Sequence, residues 1–203
     1  MENTLKRIVV FGATGKTGKL IVEQALVSGN EVVAFVRNPS KLSIVNEHLS
    51  VTKGELSDAA SIEHAVAGAN AVISVLGPRG GSKNQPLTQG MQNIVAAMKK
   101  QGVRRLIIIS TLSAKDPADK PEFRARFLVG LIKLTMHNAY KDIVGVAQMV
   151  RMSDLDWTIV RLTLLSNKPK SGEVKVGYVG SGQVGTRVSR ADVADFLLVK
   201  SKM

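Results

Sequence analysis

Three glycines, Gly12, Gly15 and Gly18, fall three residues apart between the apolar run Ile8-Val9-Val10-Phe11 and a stretch carrying Leu20, Ile21, Ala25 and Leu26 at helical intervals. Glycines in that pattern suit the binding of a dinucleotide's diphosphate. The first permits a tight turn, the second lets backbone amides approach the anion without an intervening Cβ, and the third lets a helix pack close to its strand. The start of the helix adds free N–H groups and the positive end of its dipole, and Thr14 and Thr17 add hydroxyl donors. At the end of Glu31–Val36 the chain reads Arg37-Asn38-Pro39-Ser40-Lys41, with no acid close by. A carboxylate there would bind a ribose 2′-hydroxyl and favour NAD. A forked guanidinium on Arg37, with Lys41 as a second positive charge, instead suits a 2′-phosphate, and so NADP. Finally, Ser110, Thr111 and Ser113 place hydroxyls at the end of another apolar run, Arg104–Ser110. In open parallel sheets ligands bind beyond such strand ends.

The elements that must position these groups alternate regularly. Continuous apolar runs predict strands at Ile8–Phe11, Glu31–Val36, Leu49–Lys53, Ala69–Leu76, Arg104–Ser110 and Leu155–Leu165, with a short extra strand over Gly172–Val179. Helices fall between them: one capped by Ser57 or Asp58 and running through Val66, one opened by Pro86 and reaching about Lys100, and others over Lys141–Met152 and Val193–Val199. Ser189-Arg190-Ala191-Asp192 has the spacing of a capping box. Gly77-Pro78 stops the fourth strand, and Arg79–Asn84 reads as a polar loop. This pattern predicts an α/β fold, a doubly wound parallel sheet in the order 3-2-1-4-5-6, with residues 1–203 as one domain. The strand at Gly172–Val179 would extend the sheet.

One segment breaks the alternation. Asp116–Met136 has two prolines and then a basic amphipathic helix with Phe123, Phe127, Leu131 and Leu134 on one face. Three readings fit it: a lid over a substrate pocket, a dimer surface, or a helix on a membrane surface. Its place between two units of one domain favours residues 116–140 as a lid or interface insertion, with Phe123, Phe127, Leu131 and Leu134 buried against whatever they cover.

Composition narrows the classes. The 203 residues carry no cysteine, which excludes disulfides and thiolate chemistry and fits a cytoplasmic protein. No apolar run approaches the length of a membrane span, so no membrane partner is expected. The net charge of +12 is compatible with nucleic acid, but only 4% of residues are aromatic and no recognition motif is present, which argues against that partner. No cluster of ligating residues suggests a metal. A monomer or a homodimer fits equally.

Phe11–Gly18, Val36-Arg37, Val75-Leu76-Gly77, Asn93–Met98, Leu155–Arg161 and Ser189–Ala194 together resemble the atypical short-chain dehydrogenase/reductases, with NmrA-like proteins and the biliverdin-IXβ (flavin) reductase as nearest groups. The resemblance covers nearly the whole chain. It implies an NADP(H) site in which Gly12, Thr14, Gly15, Lys16, Thr17 and Gly18 form the diphosphate loop and Arg37 meets the 2′-phosphate. Leu76, Gly77 and Arg79 would run along the cofactor. The family's Gly-Asp after the third strand, whose acid binds adenine, is Gly54-Glu55 here, which puts Glu55 and Leu56 at that contact. Ser110 and Thr111 match the hydroxyl pair beside the nicotinamide and are the catalytic candidates. The Arg-Pro-Gly after the sixth strand is Arg161-Leu162-Thr163, so Thr163 helps wall the pocket. The Tyr-x-x-x-Lys pair of typical members is absent, since Tyr140 is followed four residues later by Val144. His137, the nearest titratable substitute, reads as surface.

The resemblance therefore implies an NADPH-dependent reductase acting by proximity and hydride transfer on a small planar acceptor such as a flavin or quinone. The alternative is an NADP(H)-binding redox sensor without catalysis, in the NmrA-like manner.

Overall fold

A computed structural model of the chain describes residues 6–78 and 84–202. Arg79, expected along the cofactor, lies outside the described residues. The strands are β1 (Arg7–Phe11), β2 (Glu31–Val36), β3 (Leu49–Lys53), β4 (Ala71–Ser74), β5 (Arg105–Ser110), β6 (Asp156–Arg161), β7 (Leu164–Ser166) and β8 (Arg187–Ser189). The α-helices are α1 (Lys16–Val27), α2 (Ala59–Val66), α3 (Pro86–Lys100), α4 (Phe123–Thr135), α5 (His137–Arg151) and α6 (Arg190–Ser201). Six strands form one parallel sheet in the order β3-β2-β1-β4-β5-β6, as expected, with β1 in the interior.

Strands buried on both faces need two cores, and β1 supplies both by alternation. Val9 and Phe11 point to one face and pack with Val33, Phe35, Val72, Leu106 and Ile108 beneath α2, α3 and α5. Ile8 and Val10 point to the other and pack with Val32, Ala34, Ile73 and Ile107 beneath α1 and α6. The Phe11 and Phe35 rings lie 4.9 Å apart, tilted by 41°, so the first core carries an aromatic pair under the carboxyl ends of β1 and β2.

Three expectations are corrected. The predicted sixth strand over Leu155–Leu165 divides, because the chain leaves the sheet after Arg161 and Leu164–Ser166 pairs in parallel with β8 as a separate two-stranded sheet. Gly172–Val179 is not a strand and does not extend the main sheet. Side chains claim its backbone instead. The Asp192 carboxylate accepts from the amides of Ser171 and Gly172, both at 2.9 Å, Gly172 takes φ +77°, and the Val179 amide donates to Asp119 at 3.1 Å. Of the two expected caps of α2, Asp58 is the one observed, with Oδ1 accepting from the Ser61 amide at 3.0 Å, so that expectation holds.

The third correction concerns α4. Its apolar stripe is not covered: Phe123 and Leu134 are each 82% exposed, and Phe127 and Leu131 face solvent as well. Ala125 is the buried residue by which α4 rests on the domain.

Candidate functional site

The glycine turn has the close contacts that its residue types predict. Gly12 sits at φ +87°, and a Cβ there would lie 3.1 Å from the Val75 carbonyl. A Cβ on Gly18 would come within 2.1 Å of the Gly12 carbonyl oxygen, so α1 can pack on β1 only with glycine at that position. The Gly15 amide donates to the Gly12 carbonyl at 3.0 Å and closes the turn. Gly15 is also the N-cap of α1; among the described residues no side chain caps that helix end, and no acid occupies its first turn. The first amides of α1 are therefore left for an external acceptor, which favours an anion.

Above this turn opens a cleft of about 490 Å³. Gly12 and Thr14 line it from the first loop, Arg37 from the end of β2, Glu55 and Leu56 from the loop after β3, and Leu76 and Gly77 from the loop after β4. The carboxyl ends of β1, β2, β3 and β4 thus bring seven of the expected residues together. Arg37 is exposed, and among the described residues no carboxylate pairs with it.

Other expected residues lie elsewhere. Thr17 and Gly18 are buried beneath the turn, and Lys16 faces a second, shallower groove with Lys168 and Arg190. Lys41 ends the short 3-10 turn Pro39–Lys41, where the Asn38 side chain accepts from Ser40 N at 3.1 Å, and it is exposed outside the cleft. Ser110, Thr111 and Thr163 do not line the cleft. They stand farther along the same edge of the sheet, where the register Ser110↔Arg161 is continued by the Leu162 amide donating to the Ser110 carbonyl at 3.0 Å. Thr111 Oγ1 accepts from the Ser113 amide at 3.3 Å. The Ser113 hydroxyl beside it is buried and has no protein partner among the described residues. His137 is exposed at the start of α5.

The cleft also contains residues that the sequence reading missed. Gln89, Gln92 and Asn93 come from the first half of α3, with Gly90 beside them. Their spacing was the available signal: they form a polar stripe opposite the buried Met91, Ile94, Val95 and Met98. Asn93 Nδ2 donates to the Leu56 carbonyl at 2.8 Å, and a Cβ on Gly90 would meet Leu56 Cβ at 2.7 Å, so α3 holds the loop after β3 in place. The start of α3 is fixed from another helix. Asp142 of α5, 2% exposed, accepts from the amides of Leu87 at 3.0 Å and Thr88 at 2.8 Å, a cap supplied across the fold.

Beyond β5 a half-buried ion pair ties the loops on that side. Arg161 donates to both oxygens of Asp119, at 2.5 and 2.6 Å, and to the Ala114 carbonyl at 3.4 Å. Asp119 also accepts from the amides of Asp116 and Val179, at 2.9 and 3.1 Å. The Arg161 guanidinium, aided by these amides and opposed by burial, holds the Asp119 carboxyl down at about 2. Asp192 plays a similar part at α6: burial pushes its carboxyl up, but the Ser189 hydroxyl at 2.6 Å and the bonds from Gly172 and Ser171 outweigh that and leave it below the usual range.

A family model described as NAD(P)H-binding matches residues 12–199, from the glycine turn through almost the whole of α6. The chain belongs to the NAD(P)H-binding family. Among its relatives is an uncharacterised chloroplastic protein of Arabidopsis thaliana, 30% identical over 188 residues, a match covering 85% of this chain and 65% of the plant protein, just under two thirds. Two solved structures share the fold. One is the anaerobillin reductase ChuY of Escherichia coli O157:H7, with TM-score 0.75, 23% identity, and 96% and 89% of the two chains covered. The other is a short-chain dehydrogenase/reductase of Veillonella parvula in complex with NADP, with TM-score 0.67, 24% identity, and 95% and 85% covered. The resemblance to the atypical short-chain dehydrogenase/reductases is thereby established for the fold and for NAD(P)H binding. Among the described residues no helix is long and apolar enough to cross a membrane, and no group of ligating side chains could hold a metal ion.

Proposed function

We propose that the chain is an NADPH-dependent reductase that delivers hydride to a small planar acceptor, such as a flavin, a quinone or a tetrapyrrole. The observation that carries this reading is one cleft that joins Gly12 and Thr14, the turn leading into α1, to an Arg37 that has no carboxylate partner among the described residues. Gly12, Thr14 and Gly15 would hold the diphosphate, with the amides of Lys16, Thr17 and Gly18 turned toward it. Arg37 would grip the 2′-phosphate and Lys41 would strengthen the local positive field. Glu55 and Leu56 would flank the adenine, and Leu76 and Gly77 would follow the cofactor toward the end of β5.

Bound NADPH supplies the hydride, and the chain's contribution is placement. Thr111 already accepts one hydrogen bond, which leaves its own proton to donate to the nicotinamide or to the acceptor. Ser110 and Thr163 would wall the same end. An acceptor that takes hydride and then a proton from water needs no strong acid from the protein. This fits a chain in which Val144, not a lysine, follows Tyr140 by four residues.

The test is NADPH oxidation with FMN, menadione and biliverdin as acceptors. Turnover with at least one is expected, and Thr111→Ala should lower it while leaving NADPH affinity unchanged. A chain that binds NADPH tightly but reduces none of these acceptors would instead be a redox sensor. The position of Val144 is the observation that favours this second reading.

A further inference from the structure

We infer that α4 is a docking helix for the surface of an anionic bilayer. Phe123, Phe127, Leu131 and Leu134 are spaced four, four and three residues apart, so they form one stripe along the helix. The stripe points outward. Phe123 is 82%, Phe127 66%, Leu131 47% and Leu134 82% exposed, while α4 rests on the domain through Ala125 on its other side. The Phe123 and Phe127 rings lie 6.5 Å apart and nearly parallel, presenting one continuous apolar surface. Four large side chains left in water on a single short helix need a partner.

Charge selects that partner. From Phe123 to Lys141 the chain contains no Asp or Glu, and Arg124, Arg126, Lys133 and Lys141 accompany the apolar residues. The acids at either end of this stretch are already engaged: Glu122 caps α4, and Asp142 is buried at the start of α3. An apolar stripe bordered by cations is the pattern of a helix lying in a lipid interface, with its rings among the acyl chains and its basic side chains reaching the headgroups. Each basic residue near the surface strengthens attraction to anionic lipid, and the whole chain carries +12. A second copy fits less well. A two-fold pairing along this stripe would bring the same cations of both copies to one seam, with no acid in the stretch to meet them.

Docking of this kind is peripheral. It would set the loops after β5, and the Thr111 end of the site, close to the bilayer, because α4 is joined to β5 through them. The surface stands independently of the proposed reductase activity.

The experiment is co-sedimentation of the full chain with phosphatidylcholine vesicles and with an equimolar phosphatidylcholine–phosphatidylglycerol mixture. Binding to the anionic vesicles alone is expected, weakened by salt. The double variant Phe123→Ser/Phe127→Ser should bind at least about tenfold more weakly. Arg124→Gln/Lys133→Gln should weaken binding and flatten its salt dependence. Unchanged circular dichroism and an unchanged unfolding midpoint would show that the variants fold. Failure of the unaltered chain to bind, or equal binding by the serine variant, would overturn the inference. A dimer in solution that the serine variant converts to monomer, without vesicle binding, would assign the stripe to a second copy and overturn it as well.

Discussion

At the scale of single residues, the coenzyme preference rests on Arg37. It leaves β2 at the rim of the cleft and has no carboxylate partner among the described residues, so its forked donors are available to a phosphate. NADPH is expected to bind at least about tenfold more tightly than NADH, a difference of about 1.4 kcal/mol. Arg37→Ala should abolish most of that difference and leave NADH affinity nearly unchanged. Titration of both coenzymes by protein fluorescence checks this, and equal affinities in the unaltered chain would contradict it. Glu55 lines the same cleft, so part of the positive field at its rim is offset there.

At the scale of elements, the loops beyond β5 and β6 depend on a few carboxylates more than on backbone ladders. Asp119 joins the loop before α4 to the end of β6 and to Val179, and its carboxyl is held at about 2 instead of the ordinary 3.8. A depressed folded-state value contributes stability that is present above the unfolded value and is lost as pH falls through the folded one. The window therefore lies between about pH 4 and pH 2, and the contribution above it is on the order of 2 kcal/mol. Asp119→Asn should lower stability at neutral pH by an amount of that order, and the difference from the unaltered chain should shrink across that window. Urea unfolding at stepped pH measures it. A difference that stayed constant from pH 7 to pH 2 would show that the Asp119 charge is not what holds these loops.

At the scale of the whole molecule, the two cores share one sheet and should unfold together. Leu106 and Ile107 are neighbours on β5, fully buried on opposite faces of the sheet. Each truncation to alanine should cost about 2–5 kcal/mol. Both should move a single transition seen alike by far-UV circular dichroism and by the fluorescence of Trp157 on β6. Two separated transitions in either variant would divide the fold into parts.

The sequence by itself determined the sheet. Its order follows from short apolar strands with helical crossovers, and the site's turn from Gly12 and Gly18, where any Cβ would strike backbone. These are local effects: a period, a turn and a close approach are each written in a few consecutive residues. Arg37 was legible for the same reason, because it ends a strand whose neighbour was already known. The position of Thr111 at a strand end was legible too, but its distance from the Gly12 cleft was not. Tertiary structure decided the rest. Gln89, Gln92 and Asn93 face the cleft because α3 packs against the loop after β3, and α3 starts where it does because Asp142, far along the chain, caps it. Gly172–Val179 has a strand's composition, yet Asp192 and Asp119 take amides from the segment and its flank that a strand would need. The apolar face of α4 reads as a core face in sequence and lies in solvent in the fold, because periodicity records that a surface is apolar and only packing decides what covers it.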